Sequence, residues 1–180
     1  MMSKIFQIRL IFYIYLFYLE IQTYYGKVIS IRNGDESFRN FFNLINDIQN
    51  DKNGLIVKFE DAEYDMTEMG FNVGIYVNYD ITFIGNSNVT IFDYKNERMG
   101  LFHFIYHQNS NITITIENII FDNAGSEIAN VDIFKINFNT NNNKIIFNNC
   151  IFRNNYLPIL NLEENNNYNS LATFNHCNFL

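Results

Sequence analysis

Tryptophan is absent from this 180-residue chain, proline occurs once at Pro158, and cysteine occurs only at Cys150 and Cys177. Two thiols with one nearby histidine do not make a closed zinc site, and no cofactor is implied. Basic residues are also scarce, 12 Lys and Arg against 19 Asp and Glu, for a formal charge of -7. Phosphate-backbone binding needs clustered Lys and Arg, so nucleic acid is excluded as a partner, and a polyanionic sugar is disfavoured unless metal ions intervene. No apolar run reaches the roughly 20 residues needed to cross a bilayer.

The chain does carry a basic start, from Met1 through Lys4 to Arg9, followed by the apolar run Leu10 to Leu19 and then Glu20. That is the shape of a secretory leader. Residues 1–25 are therefore read as a signal peptide or signal anchor, with an aromatic first strand as the alternative, because Gln22 to Gly26 lacks a small-x-small cleavage site. Residues 26–180 are read as one domain, with 10 basic and 18 acidic residues once Lys4, Arg9 and Glu20 are removed (12 − 2 and 19 − 1). The expected location is secreted or cell-surface, with membrane attachment only through the N-terminal segment. Asn88-Val89-Thr90 and Asn111-Ile112-Thr113 are N-glycosylation sequons compatible with export, although so many asparagines generate a few by chance.

One helix is expected over about 35–50, because Phe38, Phe41, Phe42, Ile45 and Ile48 recur at three- and four-residue spacing. Asp35 or Ser37 is its expected cap. Downstream, short β-rich runs bounded by Gly, Asn or Asp follow at Leu55–Phe59, Ile75–Val77 and Ile81–Ile84. From Ile112 the runs repeat. Ile116 to Phe121, Phe147 to Phe152 and Phe174 to Phe179 align without gaps, 31 and 27 residues apart, within the range of solenoid architectures. Each repeat holds an earlier apolar run, at Leu101–Ile105, Ile133–Ile136 and Ile159–Leu162. Stacked coils would place equivalent residues about 4.8 Å apart, making Ile116, Phe147 and Phe174 one inward column and Phe121, Phe152 and Phe179 another. Asn118 and Asn149, with His176 in the last repeat, fall at a turn where Asn tolerates positive φ.

The pattern apolar-x-Asn-Cys/Ile-x-Phe-x-Asn, with Ile81-Thr82-Phe83-Ile84-Gly85-Asn86, resembles the pectin-lyase-like right-handed β-helix superfamily over about residues 35–180. The fold expected is all-β, a right-handed single-stranded parallel β-helix (solenoid) with an N-terminal capping α-helix. The resemblance implies exported polysaccharide lyases and hydrolases, adhesins, and proteins without known activity. The lyases of that superfamily use calcium-binding acids with an arginine base, but Arg32, Arg39, Arg98 and Arg153 show no such setting here. The hydrolases use several aspartates and a glycine-flanked histidine, yet no Asp-Asp pair and no Gly-His-Gly occurs.

Catalytic, cofactor and metal residues are accordingly expected to be none. If the chain is an enzyme, the acids to consider are Glu117, Asp122 and Asp132. Asp122 and Arg153 fall in one column and are expected to pair on the solvent side. His103 and His107 share a strand face as exposed imidazoles. Cys150 and Cys177 share a column at a spacing that a disulfide allows, with two buried free thiols as the alternative. The regular final repeat has no capping segment after it, which suggests a fragment, end-to-end self-association, or a frayed coil. The leading expectation is a non-catalytic exported or cell-surface module, structural, adhesive or glycan-contacting, whose partner is an extracellular glycan or protein. The alternative is a polysaccharide lyase or glycoside hydrolase of the same superfamily.

Overall fold

The structure is a computed structural model that describes residues 26–48, 52–69, 74–106, 111–125, 132–164 and 171–180. The leader at 1–25 and His107 lie outside the described residues. The chain begins with β1 (Lys27–Ile31) and two helices, α1 (Glu36–Arg39) and α2 (Phe41–Ile48). It then makes successive three-strand circuits. The first is β2 (Leu55–Phe59), β3 (Glu63–Asp65) and β4 (Ile75–Val77), with a 3-10 turn at Met66–Met69 between the last two. The second is β5 (Ile81–Ile84), β6 (Thr90–Asp93) and β7 (Phe102–Tyr106), and the third β8 (Thr113–Glu117), β9 (Ile119–Asp122) and β10 (Phe134–Phe138). The fourth is β11 (Lys144–Asn148), β12 (Ile151–Arg153) and β13 (Leu160–Glu164), and the last begins with β14 (Leu171–Asn175) and β15 (Asn178–Phe179).

Strands of like rank join into three parallel sheets. Sheet A runs β1-β2-β5-β8-β11-β14, sheet B runs β3-β6-β9-β12-β15, and sheet C runs β4-β7-β10-β13. The fold is thus predominantly β, with stacked parallel sheets. The short strands alternate apolar and polar residues, so each turns one row inward. The outward row of sheet A, Val28, Ile56, Thr82, Thr115, Ile146 and Thr173, is β-branched throughout, a side-chain shape that fits a pleated surface.

The expected columns form. Phe147 pairs in register with Ile116 on one side and Phe174 on the other, and the Phe147 and Phe174 rings stack at 4.7 Å. Phe152 pairs with Phe121 and Phe179, ring centroids 5.0 and 5.3 Å away. In sheet C, Phe134 lies between Phe102 and Leu160. Full burial of each such Phe contributes roughly 1.5–3 kcal/mol. At the corner between sheets A and B, Asn118, Asn149 and His176 have φ of 58°, 52° and 52°. The left-handed backbone there turns the chain within one or two residues, and the Asn149 amide donates to Asn118 Oδ1 at 3.4 Å.

The helix differs from the single element expected over 35–50. Asn40, with φ -100° and ψ 22°, breaks it into α1 and α2, and the Asp35 side chain makes no capping hydrogen bond. The bend lets Phe38 pack edge-on against Tyr64 while Phe41 reaches Phe59, Phe83 and Phe102. Asn46 of α2 also serves the outer edge of β4. Its Nδ2 donates to the Gly74 carbonyl and its Oδ1 accepts from the Tyr76 N–H, both at 3.0 Å, as a neighbouring strand would.

Candidate functional site

The most organised polar feature is a column at the C-terminal ends of the sheet B strands, where Asp65, Asp93, Asp122 and Arg153 are successive register partners. The preceding residues Tyr64, Phe92, Phe121 and Phe152 point into the core, so this row faces outward. Stacking three carboxylates at strand spacing is unfavourable unless cations or donors intervene. Arg153 provides one solution, donating to Asp122 Oδ2 from Nε at 2.9 Å and Nη2 at 2.7 Å. Asn154 Nδ2 donates to Asp122 Oδ1 at 3.0 Å. Asp93 accepts from the Lys95 ammonium, the Lys95 N–H and Asn123 Nδ2, and the ammonium also lies 3.7 Å from Glu63. Asp65 accepts from the Thr67 N–H and hydroxyl.

These bonds decide what the acids can do. Partial burial pushes the Asp93 carboxyl upward, but hydrogen bonds from Lys95 and Asn123 outweigh it and hold the group below its ordinary value. An acid so held carries no proton at neutral pH and cannot act as a general acid. The Asp122–Arg153 pair is less exposed than expected from the sequence, since Asp122 is only 7% exposed. Hydrogen bonding to Asp122 raises the Arg153 guanidinium above its ordinary range.

Beside this column, where the chain leaves sheet B for sheet C, lies an open pocket of about 340 Å³ lined by Asn96, Asn123, Asn154, Asn155, Tyr156 and Leu180. Asn96, Asn123 and Asn154 have positive φ, and Asn123 and Asn154 each donate to a column aspartate. Asn155 is fixed by accepting from the Ala124 N–H at 2.8 Å and donating to the Phe121 carbonyl at 3.1 Å. Tyr156 is anchored by its N–H to the Ala124 carbonyl, at 2.9 Å, and its side chain is 59% exposed. The pocket therefore presents amides and one aromatic ring beside carboxylates already matched by cations.

The acids named from the sequence do not gather. Glu117 sits on sheet A and accepts from Asn148 at 2.9 Å, Asp122 sits on sheet B, and Asp132 precedes β10 of sheet C and accepts from Asn161 at 2.9 Å. His103 contacts Asn137 at 2.8 Å on the outer face of sheet C, within a network that includes Glu163 and Lys135. The sequon residues Asn88 and Asn111 are exposed. The Thr90 hydroxyl is buried, accepting from the Asn86 N–H and donating to the Asp61 carbonyl.

Cys150 and Cys177 are free thiols in adjacent circuits. Each donates to two backbone carbonyls, Cys150 to those of Ile116 and Asn148 and Cys177 to those of Phe147 and Asn175. Burial pushes the Cys150 thiol up to about 12. Among the described residues no group of three or more His, Cys, Asp and Glu side chains is placed to hold a metal ion, and no helix is long and apolar enough to cross a membrane.

Comparison with protein-family models, curated proteins and solved structures finds no match for this chain. The reading of the site therefore rests on its chemistry. Sequence reasoning missed the aspartate column and the corner pocket. A signal existed, since Glu63-Tyr64-Asp65, Ile91-Phe92-Asp93, Ile120-Phe121-Asp122 and Ile151-Phe152-Arg153 share one pattern, but the alignment began only at Ile112.

Proposed function

We propose that this chain is an exported or cell-surface repeat protein, a right-handed parallel β-helix of the pectin-lyase-like kind, that contacts a neutral glycan without turning it over. The rotation of the chain through sheets A, B and C supports the β-helix reading, and the strong preference of parallel crossover connections for the right hand supports the handedness. The observation that carries the function is the corner pocket. Its amides offer both donors and acceptors to sugar hydroxyls, and the exposed Tyr156 ring supplies an apolar face with a polar tip.

Charge argues for a neutral ligand, because the chain is acidic overall and the cations nearest the pocket, Lys95 and Arg153, are already engaged by Asp93 and Asp122. The distribution of Glu117, Asp122 and Asp132 over three sheets argues against a lyase or hydrolase, which needs two carboxyls flanking one bond within about 10 Å. The test is a titration of the purified protein with neutral oligosaccharides and, in parallel, with polygalacturonate. Saturable binding of a neutral glycan that Tyr156→Ala removes is expected. Release of lyase or hydrolase products from either polymer would overturn the proposal.

A further inference from the structure

The two ends of the sheet stack are finished differently. At the first end the outer edge of β4 is occupied by Asn46 and the core is covered by Phe38, Phe41, Phe42 and Ile45 of the helices. That end also carries Asp35, Glu36, Arg39 and Asp47. At the other end Leu171, Phe179 and Leu180 are 54%, 55% and 80% exposed, and Phe174 and Leu162 are also exposed. Among the described residues β14 pairs only with β11, and β15 only with β12. Residues 171–180 contain no Asp, Glu, Lys or Arg, so this edge lacks the charges that ordinarily discourage strand pairing.

We infer that the last turn is a self-association surface on which a second copy of this chain docks tail to tail. The backbone of β14 dictates how. Leu171 donates its N–H to the Asn143 carbonyl and Asn175 accepts from the Asn149 N–H, so these residues spend their backbone groups on the β11 side. Backbone groups alternate between the two edges of a strand, so the N–H and C=O of Ala172 and Phe174 face outward. A twofold axis through Thr173 sets two β14 strands antiparallel, with Ala172 of each copy opposite Phe174 of the other. Those residues then exchange hydrogen bonds in both directions, and a small inward side chain meets a large one in each pair.

The same rotation places sheet B of one copy over sheet C of the other, which brings Phe179 toward the Leu162 end of β13. Charge selects this occupant over head-to-tail stacking. A net charge of -7 per chain makes two copies repel, and this uncharged face is the one on which they can approach without setting like charges together. Head-to-tail stacking would instead press it against the charged helices and an edge already filled by Asn46. An isologous contact of this kind closes at a dimer.

Sedimentation equilibrium of the full chain tests this. A dimer is expected, and Ala172→Pro, which removes an outward N–H but no bond to β11, raises its dissociation constant by about tenfold or more with an unchanged circular dichroism spectrum. Thr173→Cys gives an independent readout that survives a folding defect in the proline variant. Directly opposed residues of a non-hydrogen-bonded antiparallel pair lie about 4.5 Å apart, so oxidised glutathione should yield a covalent dimer whose peptide map joins 173 to 173. A monomer at every concentration, open-ended polymers, or a dimer without the 173–173 link would each overturn the inference.

Discussion

Phe121 and Phe179 occupy the same inward column two circuits apart, yet the first is fully buried and the second is 55% exposed. Their backbones, ring orientations and flanking residues are alike, so the difference comes from what lies on each side. Phe121 has Phe92 at 5.6 Å before it and Phe152 at 5.0 Å after it, whereas Phe179 has only Phe152 at 5.3 Å along the column. In this architecture a side chain's contribution is set by its neighbours in the stack more than by its own circuit.

The comparison breaks if the two positions respond alike to truncation. Phe121→Ala should cost about 3–5 kcal/mol through lost burial and the cavity left behind. Phe179→Ala should cost under about 1 kcal/mol in the monomer, in proportion to its smaller burial. Urea denaturation of both variants, with the tail face monomeric, measures the gap.

Corner residues sharpen the contrast in the opposite direction. Asn118 and His176 share a left-handed backbone, at φ 58° and 52°, and that strain is local. Replacing either with Val should cost about 1–2 kcal/mol, in similar amounts at both positions, while Gly should be tolerated. Unequal losses, read from thermal melts, would mean that the corner too depends on its place in the stack.

A smaller effect separates the polar column from the core. The Asp122–Arg153 pair is half-buried, so a double-mutant cycle with Asp122→Asn and Arg153→Gln should give a coupling of about 1 kcal/mol, above the usual exposed pair. The smallest effect concerns pH. Because the Asp93 carboxyl is held below its ordinary value in the folded state, its ionised form stabilises the fold above the ordinary carboxylate range of about 4. That contribution is lost as pH falls through the lowered value. The melting-temperature difference between wild type and Asp93→Asn should therefore be present at pH 6 and close on acidification, and a constant difference would contradict the assignment.

Much of this organisation was legible in the sequence for a physical reason. Phe121, Phe152 and Phe179 recur because each circuit must present a large apolar residue at the same height, and the short corner between sheets A and B keeps the two flanking runs in phase. The break at Asn40 was not legible, since the apolar spacing of Phe38, Phe41, Phe42 and Ile45 continues straight through it. The aspartate column escaped notice because circuits before Ile112 vary in length, so Asp65 and Asp93 do not fall at one fixed interval from Asp122. Tyr156 and Asn96 carry no periodic signal, because the path from sheet B to sheet C is irregular. Asn46 looked like one polar position on an amphipathic helix, and its role depends on where Gly74 and Tyr76 arrive in space.

One residue, Asn118, separates β8 from β9, and two, Asn149 and Cys150, separate β11 from β12, whereas the paths from β6 to β7 and from β9 to β10 are several times longer. The A–B corner thus works as a keel that tolerates no added length without throwing two sheets out of alignment. The B–C side is free to lengthen or shorten, circuit by circuit, without disturbing the columns within. Grafted peptides or new recognition loops should therefore be accepted after Tyr94 or after Asn123 and rejected at Asn118.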